Sequence, residues 1–131
     1  MAALRGPRYG PYAIQAAIAA VHDEAADIAT TDWPQVVALY DVLARVSPSP
    51  VVDLNRAVAV AMRDGPAAGL VALDALDAEP LRGYHLFPAA RADLFRRLGR
   101  ASEAATAYQT ALELTANERE RAFLRRRLAD L

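Results

Sequence analysis

The stretch PAARADLFRRLGRASEAATAYQTALELTA, residues 88–116, decides the fold of this chain. Gly99 divides it into two segments of helical length, each with apolar residues three and four positions apart. In the first segment Ala92 lies three positions before Phe95, and in the second Ala104 lies four positions before Tyr108. Small residues let two helices approach closely while the partner's aromatic ring fills the remaining space. The stretch therefore predicts a pair of antiparallel helices.

The same features recur along the chain at a fixed interval. Tyr40, Asp74 and Tyr108 are spaced by 34 residues, as are Gly65 and Gly99. Thirty-four residues is the period of tetratricopeptide (TPR) repeats. We therefore expect an all-α fold, a right-handed TPR-like array of antiparallel helix pairs, in which Asp74 stands where the repeat has an aromatic residue. An unrelated helical bundle is the alternative.

Proline, glycine and capping residues divide the chain into about seven helices, of which the last caps the array. We expect residues 1–10 to form a linker and residues 11–131 a single TPR-like domain. The predicted helices cover about 11–24, 32–46, 50–64, 66–76, 83–98, 102–115 and 118–131. In the third, the helical spacing predicts an inward face made of Val51, Leu54, Val58, Ala61 and Met62.

Composition excludes several classes of protein. The chain has 131 residues and no cysteine, which rules out disulfides and thiolate metal sites. No apolar run is long enough to cross a bilayer, and the first residues lack a signal peptide's hydrophobic region. No nucleophile, histidine pair or phosphate-binding loop forms a catalytic pattern. We expect a cytoplasmic protein with no membrane contact that is not an enzyme and needs no cofactor or metal.

Charge is unevenly distributed although it sums to −1. All fifteen basic residues are arginine. Residues 23–79 carry a net charge of −7 from ten acids and three arginines, and residues 82–131 carry +4 from six acids and ten arginines. Such a bipolar array offers complementary ends to a partner or to a second copy of itself, so a homodimer is one possibility.

A few polar residues interrupt apolar faces and are candidates for a partner-binding groove. Asn55 and Arg56 lie inside an apolar helix, where both residue types are unfavourable without a partner. In a TPR register the first helix of each repeat lines the groove. The full candidate set is Asn55, Arg56, Arg63, Tyr84, His85, Asp93, Arg96 and Arg97. In the alternative, Arg56 pairs with Asp32, Asp53 or Asp74, and the side chain of Asn55 hydrogen-bonds to the backbone of a loop.

The amino-acid sequence resembles that of one protein family over nearly its whole length. The similar segments, in order, are Gly10–His22, Thr31–Trp33, Leu39–Asp41, Pro48–Val52, Leu54–Val60, Tyr84–His85, Ala89–Leu94 and Arg97–Arg100. Together they resemble the C-terminal extension of one group of extracytoplasmic-function (ECF) RNA polymerase sigma factors. In that family the extension is TPR-like and follows two promoter-reading sigma domains, which residues 1–131 lack.

The resemblance implies a regulatory domain that modulates transcription initiation through protein contacts. Its partners would be its own sigma domains, RNA polymerase or a regulator, and DNA would be reached only through the absent sigma domains. Residues 1–10 would then be the junction to those domains. A stand-alone ligand-sensing, enzymatic or scaffolding helical domain remains the alternative, although the absence of lysine disfavours a clamp for acidic tails.

Overall fold

A computed structural model describes residues 10–24 and 30–131 of the chain. These ranges contain seven α-helices and no strand, which confirms the all-α prediction. The helices are α1 (Pro11–Glu24), α2 (Trp33–Val46), α3 (Pro50–Asp64), α4 (Pro66–Asp74), α5 (Leu86–Arg97), α6 (Ala101–Leu114) and α7 (Glu118–Ala129). A short 3-10 helix, Glu79–Leu81, lies between α4 and α5. The linker predicted for residues 1–10 lies outside the described residues except for Gly10.

Short polar residues and glycines set the helix ends. The side chain of Asp32 accepts a hydrogen bond from the Gln35 amide at 3.1 Å, and Asn117 accepts from the Glu120 amide at the same distance. Each bond satisfies one of the amides that a helix leaves unpaired in its first turn. Gly65 and Gly99 follow α3 and α5 with φ of 103° and 75°, a left-handed region that favours glycine.

Successive helices pack against each other, and α3 also contacts α5. The structure keeps the period found in the sequence. Helices α2 and α6 begin at Trp33 and Ala101 and end at Val46 and Leu114, so both their starts and their ends are 68 residues apart, twice 34. The helices therefore form a repeat-like array, with α2, α4 and α6 as the second helices of successive pairs. The right-handed TPR superhelix stays a prediction.

Two apolar clusters form the core, and α3 contributes to both. The first cluster contains residues of all the helices from α3 through α7 and includes Leu54, Ala61 and Tyr108. The second joins α1, α2 and α3 and includes residues such as Ile14 and Val60. Because α3 lies between the two clusters, it buries residues on more than one side.

This position corrects the predicted inward face of α3. Leu54 and Ala61 are buried as expected, but Val51 and Val58 are 38% and 37% exposed. Val52, Ala59 and Val60 are buried instead, in the cluster with α1 and α2. A single helical stripe cannot describe a helix that packs on two clusters, which is why the prediction failed for the two valines.

The closest approach of two helices occurs between α3 and α4. A Cβ atom at Gly69 of α4 would lie 2.3 Å from Cβ of Ala61 and 3.0 Å from Cδ1 of Leu94 in α5. Real Cβ atoms do not approach so closely, so only glycine fits where α4 meets α3 and α5. The two helices are joined by Gly65 alone, which leaves little freedom to move apart.

We expect Gly69→Ala to lower the free energy of unfolding by about 1–3 kcal/mol, because the added methyl group overpacks the contact with Ala61. Chemical denaturation monitored by circular dichroism measures this change. Helix propensity acts in the opposite direction, since alanine is the better helix former by about 1 kcal/mol.

The matched control is Ala67→Gly, at an exposed position of the same helix. This substitution loses only helix propensity and should lower the free energy of unfolding by about 0.5–1 kcal/mol. A Gly69→Ala variant more stable than the natural chain would contradict the close approach.

Candidate functional site

Arg56, one of the candidate residues, has an internal partner. Its Nε lies 2.5 Å from Oδ1 of Asp41 in α2, and both side chains are about 40% exposed. The pairing ties α3 to α2, so the alternative of an ion-paired Arg56 holds. The partner is Asp41, however, rather than Asp32, Asp53 or Asp74, the three candidates from the sequence. The pair stabilises the fold by less than about 1 kcal/mol, because it is partly hydrated.

Asp93 and Arg96 of α5 form a second pair that reaches α6. Nη2 of Arg96 lies 2.5 Å from Oδ1 of Asp93, and its Nε donates to the hydroxyl of Tyr108 at 3.3 Å. The hydrogen bond to Asp93, with a smaller contribution from Tyr108, raises the pKa of Arg96. Burial raises the pKa of the Tyr108 phenol above its ordinary value. This cluster fastens α5 to α6.

Arg63 and Arg97 lie at the ends of α3 and α5. Nη2 of Arg63 lies 2.7 Å from Oδ2 of Asp64, and this contact lowers the pKa of the carboxyl group. Nη1 of Arg97 donates to Sδ of Met62 across the α3–α5 contact at 3.7 Å. Arg97 is exposed, so its remaining donors face solvent.

Tyr84 and His85 connect the start of α5 to α7. Nε2 of His85 lies 2.7 Å from Oε2 of Glu120, although the two atoms form no hydrogen bond in that geometry. The same carboxylate oxygen accepts from the hydroxyl of Thr115 at 2.7 Å. Tyr84 packs on the core cluster and meets the His85 ring edge-to-face at 5.9 Å. Both residues therefore hold the last helix in place.

Asn55 differs from the other candidates. Its side chain is exposed on α3 and hydrogen-bonds to none of the described residues. It lies at a cleft of about 540 Å³ between α1, α2 and α3, named here the α1–α3 cleft. The cleft is lined by Gln15, Ile18, Ala19, His22, Tyr40, Leu43, Ser47, Ser49, Val51, Val52 and Asn55.

The α1–α3 cleft combines neutral polar groups with an apolar floor. The side chains of Gln15, Tyr40 and Ser47 make no hydrogen bond with any described residue. Partial burial raises the pKa of Tyr40. A tyrosine phenol is protonated at neutral pH in any case, so this hydroxyl can donate a hydrogen bond to an occupant of the cleft. Amides and hydroxyls in this arrangement bind uncharged donors and acceptors such as peptide groups.

Two other candidate residues, Asp93 and Arg97, lie outside the cleft. On α3, Asn55 and Met62 are seven residues apart and therefore share one side, and Met62 contacts Arg97 of α5. On α5, Asp93 and Arg97 are four residues apart and also share a side. Arg97 therefore meets α3 about two helical turns from Asn55, while Arg56 and His85 hold helices together elsewhere.

Sequence reasoning missed Gln15, Tyr40 and Ser47 as members of the site. Tyr40 served only as a marker of the repeat, and Ser47 only as part of a helix stop. Gln15 was the available signal, because it is the one polar side chain between Tyr12 and Val21. His22, which is exposed in the last turn of α1, also lines the cleft and meets Trp33 edge-to-face at 5.3 Å.

Within residues 10–24 and 30–131, no three His, Cys, Asp or Glu side chains are placed to hold one metal ion. None of the helices in these ranges is long and apolar enough to cross a membrane.

Comparison with known proteins finds a much longer relative. The chain is 48% identical over 129 residues to an uncharacterized protein of Rhizobium meliloti (strain 1021). The match covers 98% of the chain and 30% of that protein, so the chain spans under a third of the relative's length. No protein-family model matches the chain. No solved structure matches it either.

The raised pKa of Tyr108 predicts a loss of stability in alkali. The folded state holds the phenol proton more tightly than the unfolded state. The contribution of the Tyr108 phenol to the free energy of unfolding is therefore complete below about pH 10 and is lost as pH rises through the folded pKa. We expect the free energy of unfolding to fall above about pH 10, and to fall less steeply in Tyr108→Phe. Denaturant unfolding across about pH 8 to 11 measures both slopes.

Tyr40→Phe is the companion variant, because Tyr40 also has a raised pKa but is only partly buried and has no hydrogen bond to described residues. At neutral pH, Tyr108→Phe should cost about 0.5–1.5 kcal/mol for the lost bond from Arg96. Equal alkaline slopes in Tyr108→Phe and the natural chain would refute this assignment.

Proposed function

We propose that this chain is the regulatory protein-interaction domain of an ECF sigma factor and acts in the cytoplasm. It modulates transcription initiation by binding a polypeptide segment of its own sigma domains, of RNA polymerase or of a regulator. The resemblance of eight ordered segments to the family supports the sigma-factor assignment. The length of the Rhizobium meliloti relative is compatible with a larger protein in which this domain is one part.

The observation that carries the interaction role is the side-chain amide of Asn55 at the α1–α3 cleft, which hydrogen-bonds to none of the described residues. An asparagine side chain offers one acceptor and two donors, which match the carbonyl and amide of a peptide backbone. Gln15 and Tyr40 add further groups of the same neutral kind from α1 and α2. A partner's backbone would satisfy all three without adding a charge to the cleft.

The arginines have a secondary role in the proposed binding. Arg56 and Arg96 already pair with carboxylates of the same chain, so a partner would have to compete with these contacts. Arg97 is exposed, and its contact among the described residues is with a thioether, a weak acceptor. It is therefore the arginine best placed to meet a carboxylate or carbonyl of the bound segment.

A small-molecule sensor is the second candidate, and the cleft volume favours it. About 540 Å³ falls within the range of roughly 300–1,000 Å³ typical of small-molecule sites. A sensor would be stabilised thermally by a metabolite in the absence of any protein partner. A screen in which metabolites leave the melting temperature unchanged while a protein partner binds would exclude it.

Asn55→Ala should weaken partner binding about five- to tenfold, because it removes two or three hydrogen-bonding groups from the cleft. The binding partner in the experiment is the Rhizobium meliloti relative from which the segment similar to this chain has been deleted. Affinity is measured by calorimetry, and promoter-dependent transcription with core polymerase is measured with and without the domain.

Gln109→Ala is the matched control, since Gln109 is an exposed amide on α6 outside the cleft. It should bind like the natural chain. The proposal fails if the natural chain neither binds the truncated relative nor changes transcription. Equal affinities for Asn55→Ala and Gln109→Ala would remove the cleft from the interaction.

A further inference from the structure

One side of α7 faces solvent. The helix packs on the core through Leu124 and Leu128. Arg119 and Arg126 lie on the opposite side, because an α-helix turns by about 100° per residue, and both side chains are exposed. Phe123 lies between them and is 46% exposed. Arg119, Phe123 and Arg126 are named here the α7 stripe, whose two arginines are separated by roughly 10 Å along the helix axis.

The arginines of α7 differ from most others in the described part of the chain. None of those on α7 forms an ion pair with a carboxylate of the described residues. Arg121 donates instead to the carbonyl oxygens of Leu112 and Thr115, and Asp130, four residues after Arg126, makes no ion pair with it. The arginines that do form such pairs lie on other elements: Arg56, Arg63, Arg82, Arg91, Arg96 and Arg100. Within the described residues, unpaired positive charge is therefore concentrated on α7.

Local helix electrostatics explain only part of the α7 stripe. Arg126 lies in the last turn, where the negative end of the helix dipole favours a cation. Arg119 lies in the first turn, just after the capping Asn117, where the positive end of the dipole disfavours one. The last helix of a repeat array needs a polar outer face for solubility, but an exposed phenyl ring does not serve that need. Arg119 and Phe123 therefore need another explanation.

Arg127 holds the ring of Phe123 on the stripe. Its Cζ lies 5.0 Å from the ring centroid, within the range of cation–π attraction. The two residues are four apart on the helix, a spacing that brings their side chains together. A ring fixed in this way loses little further freedom when a partner covers it. Arginine and aromatic side chains are also enriched at the centres of protein–protein interfaces.

We infer that the α7 stripe binds an acidic helical segment of a partner protein, with carboxylate side chains seven residues apart and an apolar side chain between them. The carboxylates pair with Arg119 and Arg126, and the apolar side chain packs on Phe123. The match of charge and spacing between two helices lying side by side identifies this occupant. Binding at the α7 stripe goes beyond the function proposed above and is independent of the α1–α3 cleft.

Two other occupants match the stripe less well. A nucleic acid carries closely spaced phosphates along its whole length, and these would meet the exposed carboxylates of Glu118 and Asp130 at the two ends of α7. A second copy of the chain is a poor source of carboxylates, because several of them already pair with its own arginines: Asp41, Asp64, Asp74 and Glu79.

The probe is a fluorescently labelled, alanine-rich peptide of about 18 residues, long enough to form a helix. Its ends are blocked, its glutamates are seven residues apart, and leucines lie midway between them. Fluorescence anisotropy with the full chain measures its affinity. We expect saturable binding that weakens as salt is added, and no binding of the same peptide with glutamine in place of glutamate.

Arg126→Glu should weaken binding of the glutamate peptide at least about tenfold, because it places like charges opposite each other. Phe123→Ala keeps every charge and should weaken binding about fivefold, since the leucines lose their contact. Arg125→Glu is the matched control, because Arg125 is an adjacent exposed arginine about 100° around the helix from Arg126. It makes the same change of charge and should weaken binding less than about threefold.

Equal melting temperatures of Arg126→Glu and Arg125→Glu establish that neither substitution disturbs the fold. The inference is overturned by no saturable binding of the glutamate peptide, by equal binding of the glutamine peptide, or by equal losses in these two variants. Unchanged affinity in Phe123→Ala overturns it as well, because the apolar contact would then be absent.

Sedimentation and anisotropy with labelled oligothymidylate test the other two occupants. A dimer that Arg126→Glu abolishes and Arg125→Glu preserves would show that a second copy covers the stripe, which overturns the assignment to a partner protein. Oligothymidylate that binds more tightly than the peptide, and is released by Arg126→Glu, would assign the stripe to nucleic acid and overturn it too. A monomer that binds the peptide and not the oligonucleotide supports the assignment.

Discussion

The backbone contact between Gly69 and Ala61 constrains most of the structure. It brings α4 against α3 at a distance that no side chain tolerates, and the same glycine touches Leu94, so α5 is positioned by the contact as well. Helix α3 is in turn the element that both apolar clusters share. The close approach therefore positions α5 together with α3, the helix from which Asn55 extends.

Several charged side chains of the chain are paired internally. Of the arginines proposed for binding, Arg56, Arg63 and Arg96 contact carboxylates of the same molecule, and these contacts join helices or secure helix ends. The polar groups at the α1–α3 cleft are mainly amides and hydroxyls, and they lie beside an apolar floor. Recognition at this cleft would then depend on shape and hydrogen bonding more than on net charge.

Local sequence rules predicted the helices well and their tertiary partners poorly. Asp32, Pro50 and Asn117 marked helix starts because capping is a local interaction. The partner of Arg56 was missed because three other aspartates were equally plausible without coordinates. The α1–α3 cleft was missed because it combines residues from three separate helices, which no local pattern brings together.

The sharing of α3 between the two clusters has a consequence for how the domain responds to binding. Repeat arrays often unfold unit by unit when each unit owns a separate core. Here the first pair and the second pair cannot separate without exposing residues on two sides of one helix, such as Val60 and Leu54. The free energies of the two ends are therefore linked, and a partner that stabilises the α1–α3 end also reduces opening at the far end, near α7. We therefore expect the shared helix to make this short array unfold as one cooperative unit.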